Sequence, residues 1–268
     1  MSKNQENKMP QGEYDYFFSL GEGCPTAMIL KSRGLRSFSG PFDWIGGLSF
    51  EERLDFLLSD TQLVLDTDEW EYQGARFEPE ARDIYVNKRL NMLYPHDFPY
   101  NTPLKISAPI IKDRYTRRLK RVRDILKQNK TILFAYMAVE KSKDFDLERM
   151  AKNCARFNDN IKAKAHMIYI QNNSEIPVGE FKIVCANEFL TYVECPYVQN
   201  GEKVNMELVE KLFMGYHCTT EANNKKWMAR QKLKKKIKSL FINKRVKGDD
   251  FYYRILGFKY RPKRPKVK

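Results

Sequence analysis

In the segment FFSLGEGCPTAMIL, residues 17–30, a cysteine follows two glycines and precedes a proline. Pro25 favours the first position of a helix, which places Cys24 at or beside the N-cap, where unpaired N–H groups and the helix dipole stabilise a thiolate. Gly21 and Gly23 allow a ligand to approach the backbone, and their N–H groups would stabilise an oxyanion. The turn therefore predicts a cysteine nucleophile. The alternative interpretation is a small buried residue that fills space at a tight turn.

The elements around this turn alternate between strands and helices. An aromatic run at 14–20 predicts a buried strand before the turn, and residues 25–33 carry apolar side chains at helical spacing after it. A second helix is predicted at 48–60, because Ser49 and Glu52 form a capping box ahead of an apolar face. Further along, the pattern predicts helices at 111–129, 147–158 and 206–216, and strands at 131–137, 166–172, 181–187 and 191–195.

This alternation predicts an α/β fold with a mostly parallel central sheet, helices on both faces, and the cysteine turn after the first strand. Apolar runs without polar alternation are typical of strands that are covered on both faces. Ligands of such sheets bind beyond the carboxyl ends of the strands, which is where Cys24 stands. Prolines at positions 95, 99, 103 and 109 interrupt the pattern, so residues 61–109 are expected to be a loop-rich insertion.

The positive charge of the chain is concentrated at one end. Residues 223–268 contain 18 Lys and Arg against 2 Asp, which leaves 30 basic and 32 acidic residues before them. Such an asymmetry indicates a basic arm added to a near-neutral domain. We therefore expect a flexible segment at 1–13, a domain at 14–222 and a basic tail at 223–268.

The tail begins with the pattern of a basic amphipathic helix. Lysines surround an apolar stripe that consists of Ala229, Leu233, Ile237, Leu240 and Phe241. Residues 225–247 would bind an anionic membrane surface, each nearby lysine contributing about 1 kcal/mol, or the stripe would close the domain core. Nucleic acid is not favoured, because no recognised binding motif accompanies the charge. The final KYRPKRPKVK is expected to be disordered.

The remaining composition argues against a disulfide framework, a metal and a cofactor. The five cysteines have no paired motif spacing, and the three histidines stand far apart. The N-terminal residues lack the order of a signal peptide, and no run of about 18 apolar residues occurs. We expect a cytoplasmic protein, whose tail would bring it to the inner face of the membrane.

Three segments resemble a bacterial family of unknown function that is described as papain-like cysteine peptidases. The longest is SLGEGCPTAMILKSRGLRSFSGPFDW, residues 19–44, and the others are YPHDF and RYTRRLKRVRDIL. The resemblance implies Cys24 as nucleophile, His96 as general base, and Asp43 or Asp97 as the acid that orients the imidazole. It also implies a papain-like α+β fold as the alternative to the α/β prediction. His217 is the alternative base.

The substrate side of the site departs in part from the papain pattern. A papain-type nucleophile helix has a glutamine a few residues upstream that binds the oxyanion, whereas this chain has Ser19 and Glu22 in that vicinity. Trp44 is interpreted as a core or pocket-wall residue. The run RYTRRLKRVR is either a solvated helix face or a clamp for a phosphate or carboxylate, formed by Arg117, Arg118 and Arg121.

Three functions follow. The first is a cysteine hydrolase or acyl transferase with an acyl or peptide-like substrate, accessory to surface-polysaccharide synthesis as the resemblance implies. The others are a non-catalytic ligand-binding module and an adaptor that binds membranes or polyanions.

Overall fold

The computed structural model describes residues 11–59, 69–138, 140, 145–198, 205–220, 229, 242–247, 250–255 and 258–260. The chain divides into two compact units, Met1–Thr220 and Glu221–Lys268.

A five-stranded sheet forms the centre of the first unit. Its strands, in spatial order, are β2 (Tyr16–Gly21), β7 (Thr131–Ala138), β8 (Lys164–Asn172), β10 (Leu190–Cys195) and β9 (Lys182–Ala186). The pairs β2–β7, β7–β8 and β8–β10 are parallel, whereas β9 pairs antiparallel with β10. The carboxyl ends of four neighbouring strands therefore meet at one edge, which we call the carboxyl edge.

Helices cover both faces of this sheet. Two of them, α1 (Cys24–Ser32) and α5 (Met206–Leu212), cover one face, to which β7 contributes Leu133. On the other face, Ile132 and Phe134 of β7 belong to the same core as α2 (Phe50–Leu58), α3 (Leu104–Leu126) and α4 (Leu147–Asp159). Successive side chains of a strand point to opposite faces, so an uninterrupted apolar run supplies both cores. The predicted mixed α/β class is confirmed.

The segment predicted to be a loop-rich insertion, residues 61–109, contributes three strands to a four-stranded antiparallel sheet instead. Its strands, in spatial order, are β3 (Gly46–Gly47), β6 (Met92–Pro99), β5 (Arg82–Asn87) and β4 (Trp70–Arg76). The prolines do not prevent it, because β3 pairs with β6 only at residues 92–93, and the register of β5 and β6 shifts opposite Pro95. Pro109 lies inside α3, which begins earlier than the predicted position 111.

Two segments near the ends of the first unit also differ from expectation. Residues 11–13, predicted to be flexible, belong to β1 (Gln11–Tyr14), which pairs in parallel with β11 (Gly215–Cys218). The predicted helix at 206–216 ends at Leu212, and a strand follows it.

The second unit contains a three-stranded antiparallel sheet, formed by β12 (Ile242–Lys247), β13 (Asp250–Ile255) and β14 (Phe258–Tyr260). The predicted amphipathic helix, residues 226–241, precedes this sheet, whereas the prediction of disorder for 259–268 is wrong at 259–260. Of the predicted amphipathic helix, Ala229 is described and helical, and the rest of 225–241 lies outside the described residues. No helix in the described part of the chain is long and apolar enough to cross a membrane. Attachment to an anionic membrane through 225–247 stays a prediction.

Candidate functional site

Cys24 is the first residue of α1 and follows the carboxyl end of β2 directly. Gly23 is the N-cap with φ 135°, a value that favours glycine, and no side chain caps the helix. The N–H groups of the first helical turn are thus not used by a side-chain cap. Cys24 is half-buried, and its sulfur makes no hydrogen bond to the residues that the structure describes. This arrangement can present a thiolate and an oxyanion-binding backbone at one point of the carboxyl edge.

Ser19 and Gly21 shape the turn rather than offering donors to a ligand. The Gly21 N–H donates to Ser19 Oγ at 3.1 Å, so it is already engaged. Gly21 has φ 93°, and a Cβ there would overlap the guanidinium of Arg53. Of the two predicted glycine donors, Gly23 therefore remains for an oxyanion.

Arg53, which was not predicted to be a site residue, donates hydrogen bonds to the backbone beside this turn. Its side chain is fully buried, with Nη1 donating to the Leu20 carbonyl at 2.5 Å and Nε to the Leu48 carbonyl at 2.8 Å. The guanidinium also packs on the rings of Phe42 and Tyr136, 5.3 and 5.8 Å from their centroids. Burial lowers the pKa of Arg53. The spacing of three residues from Phe50 places position 53 on the apolar stripe of α2, and this pattern could have indicated that the arginine is buried.

His96 lies on β6 and is held by an arginine. Arg76 Nη2 lies 2.8 Å from His96 Nδ1, and the ring packs edge-on against Trp44 at a centroid distance of 6.0 Å. An arginine only donates, so Nδ1 accepts and the neutral ring carries its proton on Nε2. Burial and then the charge of Arg76 lower the pKa of His96. In this state the imidazole has no lone pair left to take a proton from a thiol.

The two candidate orienting acids, Asp43 and Asp97, form hydrogen bonds with groups other than His96. Asp43 is fully buried and accepts from Arg36 and from the Gly40 N–H at 3.0 Å. Burial raises the pKa of Asp43 to about 6 against the opposing charge of Arg36. The Asp97 carboxylate accepts from the Tyr115 hydroxyl at 2.5 Å and from Arg114 at 2.6 Å.

Trp44 contacts two residues of this region, Arg36 and His96. Its half-buried ring lies 5.6 Å from the Arg36 guanidinium and also contacts His96. We call Arg36, Asp43, Trp44, His96, Asp97 and Tyr115 the Trp44 cluster. Among the described residues, no hydrogen bond joins His96 to Cys24, Asp43 or Asp97. The catalytic dyad and its acid stay predictions.

The three arginines of α3 do not converge on one point. Arg117 is exposed and binds Asp113 at 3.0 Å, and Arg121 lies over the Phe38 ring at 4.5 Å. Arg118 turns inward and packs over the Tyr115 ring at 5.1 Å. Arg117 and Arg121, four positions apart on one helix face, line the same surface cavity, whereas Arg118 does not, so the three arginines do not form one clamp.

His217, the alternative base, lies at the wrong edge of the central sheet. It is exposed on β11 and pairs with Glu13, which precedes β2 in the chain. Cys24 follows the other end of β2, and six residues of strand span about 20 Å. The structure therefore excludes His217 as the partner of Cys24.

A cavity of about 990 Å³ opens at the carboxyl edge, next to the cysteine turn. Glu22 of the turn lines it, together with Tyr136 at the end of β7, Tyr169 of β8 and the first turns of α2 and α4. Neither tyrosine was predicted to be a site residue, because each lies inside an apolar strand pattern that indicates core. Among the described residues, no three His, Cys, Asp or Glu side chains are placed so that together they could hold a metal ion.

Comparisons with known proteins agree with the segments that carry the resemblance. A family model described as "Putative papain-like cysteine peptidase (DUF1796)" matches residues 15–172, more than half of the chain. "Uncharacterized protein R408" of Acanthamoeba polyphaga mimivirus is 31% identical over 137 residues, which cover 44% of this chain and 59% of the viral protein. The chain therefore spans less than two thirds of that relative. No solved structure shows significant similarity. With more than half of its length in the family model, this chain belongs to the family that carries this description.

Proposed function

We propose that the protein is a cysteine hydrolase or acyl transferase with Cys24 as its nucleophile. One observation carries this proposal: the Cys24 sulfur stands without a hydrogen-bond partner in the described structure, at the start of α1 and at the edge of the sheet where the cavity opens. Thiolates are favoured at helix N-termini, because the dipole and the unpaired N–H groups stabilise negative charge.

The reaction would proceed through a thioester. The Cys24 thiolate attacks an acyl carbon, the first-turn N–H groups of α1 stabilise the resulting oxyanion, and the bond to the leaving group breaks as that group takes up a proton. Water or another acceptor then attacks the thioester and releases Cys24. Arg76 must first leave His96 Nδ1 if this imidazole is to carry the proton. A link to surface-polysaccharide synthesis rests on the family resemblance alone and stays a prediction.

Cysteine labelling tests the proposal directly. With sub-stoichiometric iodoacetamide at pH 7, Cys24 is expected to react at least tenfold faster than Cys154 and Cys195, whose pKa values burial raises to about 12. Incubation with p-nitrophenyl acetate should then leave an acetyl group on Cys24, seen by mass spectrometry and absent from Cys24→Ser. If the five cysteines label at similar slow rates, or ester hydrolysis persists in Cys24→Ala, the proposal is wrong.

The hydrogen bond from Arg76 to His96 favours a second candidate, a ligand-binding module that uses the same edge without chemistry. That function predicts ligand binding with an unreactive Cys24.

A further inference from the structure

The cavity at the carboxyl edge has an aromatic wall. Phe50, Tyr136 and Tyr169 all line it, and their ring centroids lie 5.0 to 5.4 Å apart. Tyr136 and Tyr169 are only 4% and 6% exposed. Neither hydroxyl has a hydrogen-bond partner among the residues that the structure describes, although a buried tyrosine hydroxyl usually finds one. The two hydroxyls are therefore available to a molecule inside the cavity.

The described lining is strongly acidic. Five carboxylates stand against one arginine, namely Glu22, Glu51, Glu52, Glu140 and Asp146 against Arg149. Two of these acids also cap helices, since Glu52 accepts the Ser49 N–H at 2.7 Å and Asp146 accepts the Arg149 N–H at 3.0 Å. Even if Arg53, which packs on the Tyr136 ring, is counted, the carboxylates remain in excess.

We propose that this cavity binds an organic cation, an ammonium or guanidinium group of the substrate. The faces of the three rings attract a cation through their quadrupoles, and the tyrosine oxygens accept its N–H groups. The carboxylates pair with its charge, whereas an anionic ligand would be repelled. Glu22 stands two residues before Cys24, so the cation would lie on the substrate close to the reacting acyl group. That last step rests on the proposed function; the binding itself does not.

Calorimetry on the full chain tests the binding without catalysis. N-acetyl-arginine amide and N-acetyl-citrulline amide have nearly the same shape and differ in charge. At low salt the arginine compound is expected to bind at least tenfold more tightly, and 0.5 M NaCl should remove most of this difference, because screening weakens exposed charge pairs.

Variants locate the site. Glu22→Gln and Tyr136→Phe should each weaken binding of the arginine compound about fivefold or more. Glu148→Gln is the matched control, since Glu148 is an exposed acid of α4 that pairs with Lys152 at 2.7 Å and does not line the cavity. Melting curves must first establish that all three variants are folded.

Three results would overturn the inference: equal affinity for the two amides, no binding of the arginine compound at 10 mM, or equal affinity in Glu22→Gln and Glu148→Gln. The outcome is separable from that of the proposed function. If Cys24 is inert but the arginine compound binds as expected, the cation site stands and the hydrolase is wrong. If Cys24 reacts but the two amides bind alike, the hydrolase stands and the cation site is wrong.

Discussion

The carboxyl edge and the Trp44 cluster both contain residues of the family signature, yet their polar groups are in different situations. In the Trp44 cluster, the imidazole of His96 and both carboxylates are bound by arginines, one of them with a tyrosine as second donor. At the carboxyl edge, the Cys24 sulfur and the hydroxyls of Tyr136 and Tyr169 have no such partner in the described chain. Groups that are already paired stabilise the fold, and unpaired groups are available to a ligand. The comparison indicates that the signature combines a structural centre with a separate reactive edge.

The largest effect is expected from Asp97→Ala, in the Trp44 cluster. It removes the acceptor of the fully buried Tyr115 hydroxyl and of Arg114, and it should lower the free energy of unfolding by about 3 kcal/mol. Asp113→Ala is the control, because its pair with Arg117 is exposed and contributes about 0 to 1 kcal/mol. Urea unfolding measures both. Equal stabilities would show that the cluster is not a structural centre, and the comparison would fail.

A somewhat smaller loss is expected from Gly21→Ala, at the carboxyl edge. The positive φ and the overlap with Arg53 together should cost about 2 kcal/mol, whereas Gly34→Ala has a φ of 71° with no atom near its Cβ and should cost about 1 kcal/mol. Cys24 labelling should slow in the first variant alone, because the turn that presents the sulfur shifts. If Gly21→Ala and Gly34→Ala lose the same stability and label Cys24 at the same rate, the role assigned to Arg53 is wrong.

The smallest effect is expected from Arg76→Met, which tests whether the two regions communicate. Because the charge of Arg76 lowers the pKa of His96, that pKa should rise while burial still keeps it below its usual range. Imidazole proton NMR measures the change, and Arg89→Met, which breaks only the exposed pair with Glu69, should not alter it.

Freeing His96 Nδ1 in this variant should also raise the Cys24 labelling rate at pH 7 by a few fold, if the imidazole then reaches the sulfur. An unchanged labelling rate together with a raised His96 pKa would remove His96 from the proposed reaction.

Local signals predicted much of the central sheet. The capping box of Ser49 and Glu52 is present with both hydrogen bonds, and α4 extends one residue beyond its prediction. The antiparallel sheet at 70–99 was missed because its strands carry prolines and little apolar alternation. Its stability depends on partners that are remote in sequence, such as the aromatic contact of Trp70 with Tyr94 at 4.8 Å.

The sequence by itself determined that Cys24 begins a helix directly after a strand, because glycine, cysteine and proline act there on neighbouring backbone atoms. It also determined the charge separation between 14–222 and the tail, since charge is a property of composition. Only the tertiary structure decided which side chains surround that cysteine. Arg53, Tyr136 and Tyr169 reach the carboxyl edge from separate elements, and Arg76 reaches His96 across one intervening strand, β5, of another sheet. These contacts arise from packing of segments far apart in the chain, which no local spacing encodes.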